Sequence, residues 1–306
     1  MSEPSTLVFT RATAPNRLGM WFAATRPAFL TASVFPVLAA SVMCAAVSDV
    51  PISLGLVLLS VISIIIIHMG ANVLNDYFDN QNGTDITNQA RIFPFTGGSR
   101  FIQNDVLSAA ETKKFGIGLM VVGALLGSIM VALTTPLLLW VGLAGGVAAV
   151  LYSMPGGLAA RGFGDLTIAL CFGLLPVIGV SLILLGEVHQ YAWWVGGILG
   201  VFTAAILWIN SIPDIEADAK AGKHTLPSRL GAKNAPYGLA GLYALGFLLL
   251  VLAPFPKLAL ITLIAALPAA ASVLLLIKQK WIPAIPLTIL THALVCSLIG
   301  AGLFFG

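Results

Sequence analysis

Long apolar stretches alternate with short polar segments along the whole chain. Most of these stretches are long enough to cross the ~30 Å hydrocarbon core of a bilayer, which takes about 20 helical residues. Their purity differs from the weak alternation over ~10 residues that is typical of barrel strands. We therefore predict an all-α integral membrane protein, a bundle of nine transmembrane helices, of which the fourth is the shortest. The predicted spans are 20–46, 52–75, 114–134, 137–153, 164–185, 191–212, 236–253, 257–277 and 283–304.

The composition supports a membrane protein and excludes a soluble globular domain. Hydrophobic residues make up 58% of the chain and charged residues only 9%, against about 25% charged in typical soluble domains. The first 18 residues are polar and lead into an apolar run without a cleavage site, which indicates a retained helix and not a signal peptide. We expect one membrane domain over residues 1–306.

The basic residues predict the orientation. If the nine spans alternate, 14 of the 15 Lys and Arg residues fall on one side and only Lys257 falls on the other. Such an excess marks the cytoplasmic side, so we place the N-terminus in the cytoplasm and the chain in the inner (cytoplasmic) membrane. The net charge of +3 reflects this one-sided distribution, so no nucleic-acid partner is indicated. Nor does any feature indicate an obligatory protein partner.

Six of the 12 acidic residues lie in two clusters, each at the end of an apolar stretch. Ionisable groups beside hydrocarbon are costly and are functional candidates by default. Both clusters adjoin the two long cytoplasmic loops, about 76–113 and 213–235. The first cluster contains Asn72, Asn75, Asp76, Asp79 and Asp85, and the second contains Asn210, Asp214, Glu216 and Asp218.

The spacing within the clusters predicts one shared site. Asn72, Asp76 and Asp79 share one face of a helix, and Asn210, Asp214 and Asp218 repeat the arrangement at i, i+4 and i+8. The Asn-x3-Asp echo, four helices apart, suggests a four-plus-four pseudo-repeat. Oxygen ligands of this type favour a hard cation, Mg²⁺ before Ca²⁺.

Basic residues surround these acids and suggest what the metal would act on. A metal with Lys and Arg around it forms a clamp for diphosphate, and apolar helices leading away from it imply a lipid diphosphate. The alternatives are that the acids cap helices and pair with cations, or that they form the cation site of a cation-coupled membrane transporter. The basic candidates are Arg91, Arg100, Arg161, Lys220, Lys223 and Arg229.

Several segments together resemble the UbiA-type intramembrane prenyltransferases. The matching segments are Arg26-Pro27, Asn72-Val-Leu-Asn-Asp-Tyr-Phe-Asp79 with Asp85, Leu151-Tyr-Ser-Met-Pro155, Arg161-Gly-Phe-Gly-Asp165 and Ile212-Pro-Asp-Ile-Glu-Ala-Asp218 with its continuation to Gly231. They are most similar to the menaquinone-pathway branch, which prenylates 1,4-dihydroxy-2-naphthoate. Asp85 comes later than the third acid of the family motif.

The resemblance implies a nine-helix bundle with a central cavity that transfers a prenyl chain from polyprenyl diphosphate to an aromatic acceptor. The metal ligands would be Asp76, Asp79, Asp85, Asp214 and Asp218, and the first two and last two of these would be catalytic. The acceptor would be 1,4-dihydroxy-2-naphthoate, or alternatively 4-hydroxybenzoate or another aromatic or lipid acceptor. The substrate-binding candidates are Asn72, Asn75, Arg91, Arg100, Lys223, Arg161, Tyr152, Asn210 and His68.

Four further residues are interpreted one by one, and two of them, His68 and Tyr152, have two interpretations. His68 is either a buried, hydrogen-bonded histidine or a contact of the acceptor. Tyr77 and Tyr152 are candidates to stabilise an allylic cation, although Tyr152 also fits an interfacial anchor. Asp165 fits an N-cap at the start of the fifth helix. The three cysteines, Cys44, Cys171 and Cys296, lie in separate apolar stretches and are expected to be packing residues without a disulfide or a metal.

Overall fold

A computed structural model describes residues 17–81, 83, 98–154, 156–220 and 222–306, which contain helices and no strand. A short 3₁₀ helix, Pro27–Phe29, precedes α2, and a longer one, Lys257–Ala265, precedes α11. The helices are α1 Arg17–Ala24, α2 Thr31–Val47, α3 Leu54–Gln81, α4 Ala109–Leu133, α5 Leu138–Ser153, α6 Gly164–Leu185, α7 Gln190–Ser211, α8 Ile215–Lys220, α9 Leu226–Leu230, α10 Ala235–Leu252, α11 Ala266–Ile277 and α12 Trp281–Phe305.

The structure confirms an all-α, multi-pass membrane architecture. Within the described residues, eight helical segments are long and apolar enough to span a membrane. The predicted fourth span corresponds to α5, which has 16 residues and is therefore about 24 Å long at ~1.5 Å per residue. A ninth crossing stays a prediction, as does the four-plus-four repeat that depends on it.

The prediction of a single first span over 20–46 is wrong, because the helix breaks at Arg26. This residue has a left-handed backbone (φ 57°) and is followed by the 3₁₀ turn Pro27–Phe29. Proline disfavours the α conformation in the residue before it, which explains the break. The separate helix α1 packs its buried Met20 and Ala24 against the segment before α4, at Phe101, Val106 and Leu107.

Helix α7 forms the centre of the bundle. In an 18-residue stretch of α7, 72% of the residues are buried, the highest share of any described span. The helix contributes Ile198, Leu199 and Phe202 to the core. Glycines bring α6 very close to it: a Cβ on Gly173 would lie 2.2 Å from the Cα of Gly200. The contact falls on a π-helical turn of α6, Ala169–Leu174. Close helix approach through small residues is typical of membrane bundles.

The cysteines match the expectation of packing residues. Cys44 and Cys296 are buried, Cys171 is half-buried, and all three are free thiols. The described part of the chain also contains no group of three His, Cys, Asp or Glu side chains that would form a metal cage.

Candidate active site

The first acidic cluster lies on the last turns of α3. Asn72, Asn75, Asp76 and Asp79 all belong to this helix, which continues to Gln81, so the long loop begins later than residue 76. The two amides hold neighbouring segments in place. The Nδ2 atom of Asn72 donates to the carbonyl oxygen of Thr25 at 2.9 Å. The Nδ2 atom of Asn75 donates to the Ser153 hydroxyl at 3.5 Å.

Asp76 is buried in the last turns of α3. It is 5% exposed, and its Oδ2 atom accepts a hydrogen bond from the Ser99 amide at 3.1 Å. Its Oδ1 atom is also buried but has no hydrogen-bond partner among the described residues. The positive charge of Arg26 acts on this carboxyl group. Asp76 therefore has one lone-pair site available for a further ligand.

The second cluster does not form the continuous helix that its spacing predicts. Helix α7 ends at Ser211, and a new short helix, α8, begins at Ile215. Pro213 explains the interruption, because it lacks an amide hydrogen and clashes with the preceding turn. Asp214 lies in the turn between the helices, and its carbonyl oxygen accepts from the amide of Asp218 at 2.8 Å.

Asp218 is buried among charged groups from both clusters. Burial raises the pKa of its carboxyl group to about 7, the Lys223 cation opposes that rise, and Asp214 and Asp79 add to it. The Thr225 hydroxyl donates to its Oδ2 atom at 3.4 Å. Asp79 comes from α3 and Asp218 from α8, so the two motifs share one electrostatic environment.

An ion pair connects the two motifs directly. The Nζ atom of Lys223 lies 2.5 Å from the Oδ1 atom of Asp79, and the two side chains are 16% and 17% exposed. Charge-assisted hydrogen bonds of this kind are roughly twice as strong as neutral ones. Lys223 therefore attaches the loop after α8 to the end of α3.

The turn between α5 and α6 packs against the same loop. The amide of His224 donates to the carbonyl oxygen of Ala160 at 2.8 Å. Arg229 donates from Nη2 to the carbonyl oxygen of Arg161 at 2.8 Å and from Nε to that of His224 at 2.9 Å. Gly162 (φ 88°) permits this approach, since a Cβ there would lie 2.9 Å from the His224 oxygen. Arg229 thus fixes the loop that carries Lys223.

The remaining candidates lie in different surroundings. The Nδ1 atom of buried His68 is 2.9 Å from the Ser33 hydroxyl oxygen, and its ring meets that of Phe172 edge to face. Arg161 is exposed, and its Nε atom donates to the Gly156 carbonyl oxygen at 2.7 Å. The Oδ1 atom of Asn210 is buried without a hydrogen-bond partner in the described part of the chain.

Two further candidates adjoin this region. Arg100 follows Ser99, the residue bound to Asp76, and its backbone is left-handed (φ 57°). The Tyr152 hydroxyl lies within electrostatic range of Asp79 and Asp218. Asp85 and Arg91 lie outside the described residues.

The expectations for Tyr77 and Asp165 need correction. Tyr77 faces α4, where the Lys113 Nζ atom lies 5.4 Å from its ring centroid, because its side chain leaves α3 on a different face from Asp76. Asp165 is not an N-cap: Phe163 occupies that position without a side-chain cap, and Asp165 lies inside the first turn.

Sequence reasoning did not assign a role to Arg26, Ser99, Ser153 or Thr225. The charge of Arg26 acts on Asp76, and its Nε atom is buried without a hydrogen-bond partner among the described residues. The available signal was the Arg26-Pro27 pair, which marks a break in an apolar run. The three hydroxyl residues have no comparable signal, because their roles depend on tertiary contacts.

The residues present fit Mg²⁺. The facing groups are carboxylate and amide oxygens, and the Oδ1 atoms of Asp76 and Asn210 are buried without hydrogen-bond donors in the described ranges. Mg²⁺ is commonly bound by one or two carboxylates together with substrate phosphates and water. A preformed cage of three acidic or histidine side chains is therefore not required.

Comparison with known proteins identifies the family. The model of the UbiA prenyltransferase family matches residues 33–302. The chain belongs to this family and is a prenyltransferase. It is 32% identical over 227 residues to the 1,4-dihydroxy-2-naphthoate octaprenyltransferase of Haemophilus influenzae, with 71% of each chain covered. It is 32% identical over 266 residues to the protein of that name from Mycobacterium tuberculosis, covering 83% of this chain and 85% of the relative.

Solved structures share the fold of this prenyltransferase. A UbiA homologue from Aeropyrum pernix K1 superimposes with a TM-score of 0.66 at 18% identity, covering 91% of this chain and 98% of the homologue. A UbiA homologue from Archaeoglobus fulgidus, solved with DMAPP and Mg²⁺, gives a TM-score of 0.58 at 17% identity with the same coverage. At these identities the likeness establishes the fold alone.

Proposed function

We propose that this prenyltransferase transfers a polyprenyl chain from a polyprenyl diphosphate to an aromatic quinone precursor, 1,4-dihydroxy-2-naphthoate, and releases diphosphate. The observation that carries the proposal is the Lys223–Asp79 ion pair, because it brings a cation and the carboxylates of both motifs into one site. The names of the relatives supply the acceptor. The proposed site lies on the cytoplasmic side of the inner membrane, within a single domain over residues 1–306.

In this proposal Asp76, Asp79, Asp214 and Asp218, with Asp85 as a further candidate, would hold Mg²⁺, which would supply Lewis-acid stabilisation of the leaving diphosphate. The homologue solved with DMAPP and Mg²⁺ supports this choice of metal. The residues of the chain do the rest.

Lys223 is paired with the Asp79 carboxylate, so it neutralises part of the negative charge that develops on the diphosphate. Arg26, whose charge acts on Asp76, lies just before the 3₁₀ turn Pro27–Phe29 and adds a second cation. The apolar helices that surround the site exclude water, which protects the allylic cation until the aromatic ring attacks.

Charge removal at the two motifs tests the proposal. Asp76→Asn and Asp214→Asn are expected to lower prenyl transfer by about a hundredfold or more, because each loses a carboxylate that stabilises the transition state. Purified protein with Mg²⁺, a polyprenyl diphosphate and a panel of acceptors is assayed by product mass. The panel contains 1,4-dihydroxy-2-naphthoate and 4-hydroxybenzoate.

Asp105→Asn is the matched control, since Asp105 is an exposed acid in the first loop. Its rate and the thermal stability of all three variants should stay near those of the parent. Near-normal rates in both motif variants would contradict the assignment of the metal ligands. A product formed only from 4-hydroxybenzoate would show that this compound, and not 1,4-dihydroxy-2-naphthoate, is the acceptor.

A further inference from the structure

Asp165 is a buried carboxylate that neither acidic motif includes. It is 7% exposed and lies in the first turn of α6, and its Oδ1 atom is buried with no hydrogen-bond partner among the described residues. The positive end of the helix dipole favours its charge but leaves the Oδ1 lone pairs unused. A buried polar atom without a partner is costly, and an ionisable group at a membrane boundary is a functional candidate.

Tyr152 lies within electrostatic range of both Asp165 and the acidic motifs. The charges that act on its hydroxyl group are those of Asp165, Asp79, Arg26 and Asp218. Asp165 is therefore close to Tyr152.

The backbone places Tyr152 against the start of α6. A Cβ built on Gly164, the residue before Asp165, would lie 3.7 Å from the Cε2 atom of Tyr152. The ring of Tyr152 is thus in contact with the turn that presents Asp165. A flat aromatic molecule beside this tyrosine would be near both the motif carboxylates and the Oδ1 atom of Asp165.

We propose that Asp165 accepts a hydrogen bond from a hydroxyl group of the aromatic acceptor and so orients the ring beside Tyr152. The inference rests on the proposed function, because it takes the acceptor to be a hydroxylated aromatic acid. The ring carboxylate of such an acid is repelled by Asp165, so the hydroxyl group is the part that faces it.

The hydrogen bond also favours the chemistry. The C–O bond of the allylic diphosphate breaks, and its electron pair leaves with diphosphate. A ring carbon then bonds to the allylic carbon, and the group it loses, a proton or carbon dioxide, leaves its bonding electrons on the ring. A carboxylate that accepts from the ring hydroxyl increases the electron density of the ring and makes this attack easier. Asp165 thereby contacts substrate without contacting the diphosphate.

Equilibrium binding tests the inference without donor or Mg²⁺. The full-length protein in lipid nanodiscs is titrated with 1,4-dihydroxy-2-naphthoate and with 2-naphthoate, which lacks both hydroxyl groups. The parent should bind the dihydroxy compound about tenfold or more tightly, the preference expected of one hydrogen bond to a charged group. Asp165→Asn should bind the two compounds with nearly equal affinity.

Steady-state kinetics provide the second readout. In Asp165→Asn the KM for the acceptor should rise about tenfold, while the KM for the polyprenyl diphosphate stays within about twofold of the parent value. Asp49→Asn, a change at an exposed turn outside the site, should leave both constants and the binding preference unchanged.

Three outcomes would overturn the inference: a parent that does not prefer the dihydroxy compound, a variant that keeps the full preference, or an equal rise in both KM values. If Asp165→Asn does not fold, Asp165→Glu, which keeps a carboxylate, and Asp165→Ser, which does not, replace it, and equal preferences in these two variants would overturn the inference. An Asp165-dependent preference in a protein that forms no product from any acceptor would support the inference and contradict the proposed function, so the two failures are distinguishable.

Discussion

At the scale of single residues, the charges of Lys223 and Asp79 serve two interactions: the ion pair between them and the binding of substrate and metal. Their side chains bind each other at 2.5 Å across 144 residues of sequence. In the proposed function, however, Asp79 binds Mg²⁺ and Lys223 binds diphosphate. Lys223 and Asp79 therefore separate when the substrate binds, and each takes a new partner. Before that, the ammonium group of Lys223 competes with a metal ion for Asp79. The site should accept the metal and the diphosphate together more readily than the metal alone.

Lys223→Gln separates these two effects. The variant should bind Mg²⁺ several-fold more tightly in the absence of diphosphate, because a cation has been removed from beside Asp79 and Asp218. It should bind inorganic diphosphate with Mg²⁺ about tenfold more weakly, because a charge-assisted contact is lost. Ligand-induced shifts of the thermal unfolding midpoint measure both affinities. Lys114→Gln, a change at an exposed lysine of α4, is the control, and weaker binding of Mg²⁺ by Lys223→Gln would contradict the competition.

At the scale of elements, the helical spacing of Asn72, Asp76 and Asp79 was sufficient to place them together, because α3 runs unbroken through all three. The same rule failed for Asn210 and Asp218. Pro213 ends α7 and turns the chain, and spacing rules hold only within one continuous helix. The break at Arg26 has the same cause. Proline positions therefore carried information on element boundaries that apolar periodicity alone did not supply.

The tolerance of the α6–α7 contact to a larger side chain can be measured. A Cβ on Gly200 would lie 2.4 Å from the carbonyl oxygen of Ala169, whereas a Cβ on Gly197 would meet nothing within 4 Å. Both glycines lie in α7, where alanine has the higher helix propensity by about 1 kcal/mol. Gly200→Ala should nevertheless destabilise the fold by about 1–3 kcal/mol, as overpacking does, because the obstructing atom belongs to the backbone.

Thermal unfolding in nanodiscs checks this prediction. Gly197→Ala should be at least as stable as the parent, so the difference between the two variants isolates the close contact from helix propensity. Equal midpoints for the two variants would mean that the helices separate without appreciable cost. Gly200→Ala should lose prenyl transfer only as the temperature approaches its own unfolding midpoint.

At the scale of the whole molecule, composition and charge asymmetry predicted the membrane class, and the motifs predicted the family. The contacts that unite the site were not predictable. The loop after α8 joins α3 through Lys223 and joins the α5–α6 turn through Arg229. These bonds link distant parts of the sequence, and each uses a side chain that charge patterning explains equally well as a marker of the cytoplasmic side.

The orientation of the molecule depends on whether α5 crosses the membrane. Its last residue, Ser153, is bound by Asn75 beside the first motif. Its first residue, Leu138, packs with Met130 near the end of α4 and with Ile183 near the end of α6. Helix α5 therefore runs from the end of the bundle away from the motifs, at Leu138, to the motif end, at Ser153. A helix about 24 Å long reaches across such a distance when the bilayer thins locally or flanking residues extend to the interface.

Cysteine labelling decides the point. Thr135 and Arg161 flank α5, so a crossing helix places them on opposite sides of the membrane. A cysteine at Thr135 should react with a membrane-impermeant maleimide in intact cells, and a cysteine at Arg161 should react only after the membrane is permeabilised. The natural Cys44, Cys171 and Cys296 lie within predicted spans, so the parent chain measures the background. Reaction of both sites from the same side would show that α5 does not cross, and the later spans would then reverse and scatter the basic residues over both faces.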